Sequence, residues 1–471
     1  MCIRDSALAG LGAITSARLV DAGSTWEISL VAGAAAAGLG AAVVALPTSK
    51  LRGSLLAVAT LGLAVMAPAW LFRHDLTGDE LVFEVPRVDF GLFELRPQRA
   101  YYFFVVVVGA VVFALLAALG SRATGRRWRA VRDNERAAAA MGISPWRARL
   151  GAFVVSGALA GLAGGLLGGL LVNFRRGEFA AVDSIEIVVM AVIGGLGSLS
   201  GAVMGVVYVG ALPAFFSDLG SLQLLVSGVG LLALLLYFPD GLASLVHHGQ
   251  RLLAGPPART RPTELVDEDQ GGAEGREDLA MVIGRLRQGA ARSAAAGTGN
   301  GLEVAGVSVL FGSTPAVDDV SLAVDSGAIV GLIGPNGAGK TTLFDAVSGL
   351  SPARGSIRVG GTDVSRWSPD RRARHGLGRT FQDARLFPRM TTREVVRVAA
   401  AVDQRPHILL DAVVPPGLRR SELRFAQRAE AAIELTGLGE YADAPVAVLS
   451  TGTRRMVEIA CLVAGGGRLL L

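Results

Sequence analysis

Seven apolar runs crowd the first half of this chain, at about residues 7–20, 27–46, 53–72, 101–120, 150–172, 179–216 and 222–238. Several reach the roughly 20 residues that cross a bilayer as a helix. In hydrocarbon every backbone N–H and C=O must be bonded within the protein, so runs of this kind are expected as helices. The mean hydropathy of +0.48 agrees. So does a composition with 51% hydrophobic and only 18% charged residues, too apolar for an ordinary soluble protein of 471 residues. The run at 7–20 is short for a full span, as though its beginning were missing, and the polar opening hexapeptide MCIRDS does not read as a native start or a cleavable signal. Glycine and alanine are dense at 32–45 and 157–169, and small residues let membrane helices approach closely. The expectation is an all-α, polytopic membrane bundle over residues 7–238.

Basic residues orient it. The loop at 121–149 carries Arg122, Arg126, Arg127, Arg129, Arg132, Arg136, Arg147 and Arg149 against Asp133 and Glu135, which puts it on the cytoplasmic side. The loop at 73–99 mixes both signs and is expected outside; the short loop with Lys50 and Arg52 then falls inside. The net charge of +5 is read as topology determinants and lipid-surface contacts, not as a nucleic-acid footprint. Residues 194–201, GGLGSLSG, break the long run at 179–216. Two spans around the break plus 222–238 give the odd number of crossings that returns the chain to the cytoplasm; a re-entrant segment is the alternative. Within the cytoplasmic loop, residues 132–143 read as one short helix ended by Gly142, either a solvated connector or an element that docks into a neighbouring domain. Cys2 and Cys461 lie in different regions and indicate no disulfide framework.

Residues 239–301 lose the apolar periodicity and read as a flexible linker. From Leu302 short strands alternate with helices: 302–310, 317–324 and 356–359 as strands, 389–401 and 421–435 as helices. Between them stands GPNGAGKTT at 334–342, which fits G-x-x-x-x-G-K-[ST] at every position. The apolar run 329–333 before it reads as a buried strand and Thr342 onward as a helix. Strands, helices and a phosphate loop together imply an α/β nucleotide-binding domain over 302–471. Glycines at 334, 337 and 339 let backbone amides surround phosphate oxygens, Lys340 reaches the β- and γ-phosphates, and the Thr341 hydroxyl suits Mg²⁺. The chain writes 45 basic residues yet only two are lysines, Lys50 and Lys340. A slim point charge suits a crowded phosphate site.

Three weaker signals surround the loop. Phe311, at the tip of an early strand pair, could stack on an adenine or fill the core. Gln382, in RTFQ at 379–382, could place an amide near Mg²⁺ or water, or close a capped turn. Ser450 reads as a helix N-cap, and with Gly452 it makes either a second phosphate-binding turn or an ordinary cap.

Together these pieces resemble the ATP-binding cassette family. Residues 334–342 match its first nucleotide motif, so Asn336 and Thr342 join the loop residues as implied ATP contacts. Gln382 takes the glutamine-loop position, with an implied role in catalysis and at Mg²⁺, and Phe311 the adenine-stacking position. LSTGT at 449–453 is similar to the signature LSGGQ, with Thr451 and Thr453 as departures; Ser450 and Gly452 would touch the γ-phosphate held by a partner subunit. The first half resembles the permease of branched-chain amino acid uptake systems in residues 51–61, 129–143, 153–165 and 192–198. In that family the loop helix near 135–142 couples permease to ATPase.

The resemblance implies an ATP-driven, Mg²⁺-dependent importer subunit in the cytoplasmic membrane. Its implied partners are a second permease subunit, a second ATP-binding subunit, an extracytoplasmic substrate-binding protein, membrane lipid and a small-molecule substrate, with no nucleic acid. Branched-chain amino acids, urea and short amides all suit the permease type. It also implies an Asp-Glu pair beyond the strand that begins at 468, and a later histidine. On that ground this chain alone is expected to bind ATP weakly and hydrolyse it negligibly, since Glu458, inside the helix after Ser450, reads as pointing away from the site. A non-catalytic nucleotide-binding membrane protein is the rival from another class; an exporter half would need about six long spans without the glycine break.

Overall fold

The computed structural model describes residues 5–48, 82–84, 97–179, 181–195, 197–215, 241–243, 301–381, 386–404, 411 and 416–471, with a few isolated positions besides. The runs expected at 53–72 and 222–238, nearly all of the linker at 239–301, and Gln382 lie outside the described residues. The chain divides into one unit of residues 1–117 and 149–258, and a second of residues 118–148 and 259–471.

In the first unit, α1 (Asp5–Asp21) and α2 (Trp26–Thr48) are followed by β1 (Val82–Glu84) and α3 (Gln98–Ser121). Next come α4 (Ala123–Asp133) and α5 (Glu135–Ala140), which belong to the second unit, and α6 (Pro145–Leu171). β2 (Asn173–Arg175), α7 (Ala181–Gly194) and α8 (Leu199–Phe215) complete the described membrane half. Helices α2, α3 and α6, of 23, 24 and 27 residues, are long and apolar enough to span a bilayer. The small-residue reading of their packing holds. A Cβ added at Gly161 would lie 2.4 Å from the Ala37 Cβ, one at Gly164 1.9 Å from the Ala9 carbonyl oxygen, and one at Gly12 2.4 Å from the Gly161 Cα. α1, α2 and α6 are therefore in backbone contact, which only Gly and Ala permit. The outer side of α3 instead exposes Tyr102, Phe103, Val106, Val107 and Val111, as a lipid-facing surface would.

The glycine break is present: α7 and α8 meet at 119°. Their described lengths of 14 and 17 residues fall short of the roughly 20 needed for a complete crossing. Among the described residues the pair is a broken span or a re-entrant hairpin by length, the second being the alternative that the sequence leaves open beside two full spans. The bend is closed by backbone contact, since a Cβ at Gly205 would sit 1.9 Å from the Met190 carbonyl oxygen. β1 and β2 pair antiparallel, Phe83 opposite Phe174, with the two rings stacked 5.4 Å apart and buried. This ribbon ties the loop at 73–99 to the end of α6, two places that charge and parity both put outside.

In the second unit β3 (Leu302–Phe311) and β4 (Thr314–Val324) form a hairpin, followed by α9 (Lys340–Val347), β5 (Arg354–Val359) and β6 (Thr362–Asp363). The sheet is antiparallel in the order β4-β3-β5-β6. Val304, Val307, Val309 and Ile357 alternate into a core that also takes Leu343 and Val347 from α9. Then come α10 (Pro369–Arg374), β7 (Leu377–Gly378), α11 (Thr392–Ala400), α12 (Pro416–Leu435), α13 (Thr451–Gly465) and β8 (Leu469–Leu470), which pairs parallel with β7. α11, α12 and α13 enclose a second core around Val395, Ala399, Ile433 and Val457. Thr391 opens α11 with a capping box closed by Glu394.

Three expectations are corrected. Residues 329–333 form no strand, and Ile333 is 95% exposed. A strand needs a ladder partner, and among the described strands none pairs with this run. The single helix expected at 132–143 is two, because Asn134 adopts an extended backbone and caps α5 by accepting from the Ala137 amide. The third concerns the arginines of that loop, which are not merely lipid-facing. Arg126 pairs with Glu422 at 2.7 Å and Arg129 with Glu394 at 2.8 Å, while Arg122 donates to the Asp411 carbonyl and Arg127 to that of Gln404. Burial pushes the Arg127 guanidinium down to about 10, still charged at neutral pH. Ala137 and Ala138 of α5 are buried in the helical core, and a Cβ at Gly142 would lie 2.5 Å from Val402 Cγ2. Of the two readings of this segment, the docking element is the one the structure adopts.

Glu458 has a partner that no local pattern in the sequence marks. It is buried in α13 and its Oε1 accepts from the Phe381 amide at 3.3 Å. Desolvation pushes its carboxyl up to about 7, only partly offset by that amide and by Arg455. Between the ordinary value near 4.5 and 7 the native state therefore holds a proton that the unfolded chain has lost, and stability falls as pH rises through that window. Glu458→Gln keeps an acceptor for Phe381 without the charge. In thermal unfolding of the full chain it should raise the second unit's midpoint by about 2–4 °C at pH 8 and leave it unchanged at pH 4.5; equal midpoints at pH 8 would contradict this. In the first unit, Gly161→Val has no room beside Ala37 and should abolish the monodisperse detergent-solubilised species, read by size-exclusion chromatography, whereas Gly109→Val, with open space around it, should not.

Candidate functional site: a phosphate loop beside a docked helix

The loop at 334–342 is shaped by its glycines. Gly337 and Gly339 sit at φ 86° and 83°, in the left-handed region that favours glycine. Gly339 is also constrained by space, because a Cβ there would lie 2.3 Å from the Ala316 carbonyl oxygen of β4. Gly339 caps α9, whose first helical bond runs from the Leu343 amide to the Gly339 carbonyl at 2.8 Å. The amides of Lys340, Thr341 and Thr342 thus belong to the free end of the helix, where they and the helix dipole favour an anion. Lys340 Nζ donates to the Gly334 and Pro335 carbonyls, 2.7 Å each, which tethers the ammonium across the loop. Gly334, Asn336 and Thr341 are all exposed and accessible to a ligand.

Phe311 ends β3 opposite Thr314, beside the turn at Gly312. Its ring is 59% exposed, so it is no core residue. Ala316 and Val317 of the same hairpin touch Gly339, so the structure brings this aromatic and the phosphate loop onto one substructure. Ser450 and Gly452 stand elsewhere, at the exposed start of α13 over the helical core. Ser450 is the N-cap as expected: its Oγ accepts from the Thr453 amide at 3.1 Å and lies 2.9 Å from the Thr453 hydroxyl. Thr453 thereby occupies the hydroxyl of Ser450 within its own turn.

Among the described residues no group of three or more His, Cys, Asp and Glu forms a cage for a metal. The Thr341 hydroxyl is the donor type that Mg²⁺ takes when phosphate oxygens and water supply the remaining ligands. The residues present fit a nucleotide-borne cation.

Sequence reasoning missed one arrangement beside the loop. Asp345 of α9 pairs with Arg379 at 2.5 Å and with Arg136 of α5 at 2.9 Å. Arg379 lay in plain view within RTFQ, but nothing local marks Asp345 as its partner.

Residues 5–236 match the family described as the branched-chain amino acid transport system permease component, and residues 317–471 match the ABC transporter family. Over 171 residues the chain is 37% identical to the high-affinity branched-chain amino acid transport ATP-binding protein BraF of Pseudomonas aeruginosa, covering 36% of this chain and 67% of that one. It is 37% identical over 164 residues to the corresponding protein LivG of Escherichia coli, covering 34% of this chain and 64% of the relative. The chain thus spans about two thirds of the length of these relatives. It belongs to the ABC transporter family, joining a permease region of the branched-chain amino acid transport type to an ATP-binding cassette in one polypeptide.

Proposed function

We propose that this protein is an importer subunit of the cytoplasmic membrane that moves branched-chain amino acids, or related small amides, at the expense of ATP. The observation that carries the reading is the docking of residues 122–142, a loop between two spanning-length helices, onto the cassette that bears the phosphate loop. A motion of the cassette then carries with it a loop whose chain continues into two spanning-length helices, as hinge-like transporter mechanisms require.

In this reading the amides of 340–342 and the Lys340 ammonium hold the β- and γ-phosphates, and Phe311 stacks on the adenine. Thr341 and Gln382 hold Mg²⁺, which when bound offsets charge on the phosphate oxygens; Gln382 also orients the attacking water. Ser450 and Gly452 face the γ-phosphate of a second ATP-binding subunit, so closure of the pair is head-to-tail. The Thr453 contact competes for Ser450 and weakens that approach. A second permease subunit and an extracytoplasmic binding protein complete the assembly, and lipid surrounds α3.

Two measurements test this. Lys340→Ala removes a phosphate charge partner without touching the core. It should weaken binding of a fluorescent ATP analogue at least about tenfold, since one lost charge-assisted bond is worth about 1.5–3 kcal/mol, and leave membrane insertion intact; unaltered binding would end the site assignment. In vesicles holding the complete assembly, labelled leucine uptake should be competed by isoleucine and valine more strongly than by urea or acetamide. The reverse order would move the substrate to the small amides, and no uptake of either class would refute import.

A further inference from the structure

The docked segment does more than rest on the cassette: it reaches the helix that carries the phosphate ligands. Asp345 lies four residues after Thr341, so the two share a face of α9 one turn apart. Its two carboxylate oxygens are divided. Oδ1 accepts from Arg379 Nη2 at 2.5 Å, and Oδ2 from Arg136 Nη2 at 2.9 Å. Arg379 is fixed further by donating from Nη1 to Ser348 Oγ, and the Ser348 hydroxyl in turn donates to the Phe344 carbonyl of α9. The Arg379 guanidinium also stands 5.1 Å from the Phe381 ring, immediately before Gln382.

The two halves of this bridge differ in character. Arg379 is 6% exposed and Asp345 15%, so their pair is a permanent part of the cassette. Arg136 is 60% exposed and projects from α5, so its bond to Asp345 is the half that solvent can replace. A carboxylate shared in this way makes the position of an eight-residue helix sensitive to the seating of α5.

We infer that Asp345 is a positioning residue: through its bond to Arg136 the docked segment sets the pose of the helix bearing Lys340 and Thr341, and this one carboxylate is the route by which the coupling between residues 135–142 and the nucleotide runs. This rests on the nucleotide-binding reading of the loop. The coupling must run both ways: docking favours nucleotide, and nucleotide favours docking.

A mutant cycle on the full chain in nanodiscs tests it, with a fluorescent ATP analogue as probe. Arg136→Ala, remote from the loop in sequence and exposed, should weaken analogue binding about threefold, and Asp345→Asn about three- to tenfold. The double variant should bind no more weakly than Asp345→Asn, because both changes remove one connection. Arg136→Lys should restore most of the affinity. Amide exchange over 135–142 should slow when the analogue saturates the unsubstituted protein, and this slowing should vanish in Asp345→Asn. Unchanged affinity in Arg136→Ala, effects that multiply in the double variant, or exchange indifferent to nucleotide would each overturn the inference. Lys340→Ala separates the two levels: if it abolishes binding while Arg136→Ala does nothing, the site stands and the coupling falls; if the unsubstituted chain does not bind the analogue, both fall. Should Asp345→Asn fail to fold, Arg136→Ala and Arg136→Lys decide alone.

Discussion

The burial of two alanine side chains, Ala137 and Ala138, among the helices of the cassette is the contact on which the second unit's organisation turns. Methyl groups are small enough to let the α5 backbone settle close to the residues around Val402, and Gly142 closes the approach where any Cβ would collide. Larger apolar residues at these positions would hold the helix off; polar ones would be buried without partners. Once α5 is seated, its neighbours follow. The Asn134 cap redirects the chain, α4 runs back, and its arginines find Glu422, Glu394 and the carbonyls of Gln404 and Asp411.

This ordering of packing first and charge second explains why the arginines of the loop serve two purposes. Their number still obeys the rule that basic residues stay on the cytoplasmic side. Their positions, however, are those of partners to acidic groups on α11 and α12, and removing one partner of a half-buried pair beside a packed core costs more than breaking a free surface pair. Glu394 joins the two levels, because the same carboxylate closes the capping box of α11 and receives Arg129.

Much of this was readable in the chain. Local patterns marked the spanning helices, the glycine break, the hairpin at 302–324 and the loop at 334–342, since each depends on residues near in sequence. Ser450 was legible as an N-cap for the same reason. What escaped were pairings between distant residues. Asp345 with Arg136 spans 209 positions, and Glu458 with the Phe381 amide spans 77; no periodicity encodes either. The break at Asn134 was missed because an asparagine inside a charged, alanine-rich run is compatible with a continuous helix, and only the docked geometry favours its role as a cap.

The run at 329–333 is the most instructive divergence. Its apolar, β-branched composition is that of a buried strand, yet composition supplies only the side chains, while a strand exists through the backbone partners beside it. The phosphate loop nevertheless keeps its form. Gly339 is held against the Ala316 carbonyl, α9 is anchored through Leu343 and Val347 in the hairpin's core, and Asp345 ties the helix to Arg379. The loop's geometry is therefore set from its C-terminal side, by the helix and the antiparallel hairpin, and not by the strand that leads into it. The defined geometry of the site therefore lies at Gly339 and after, where charge must meet phosphate in a defined position.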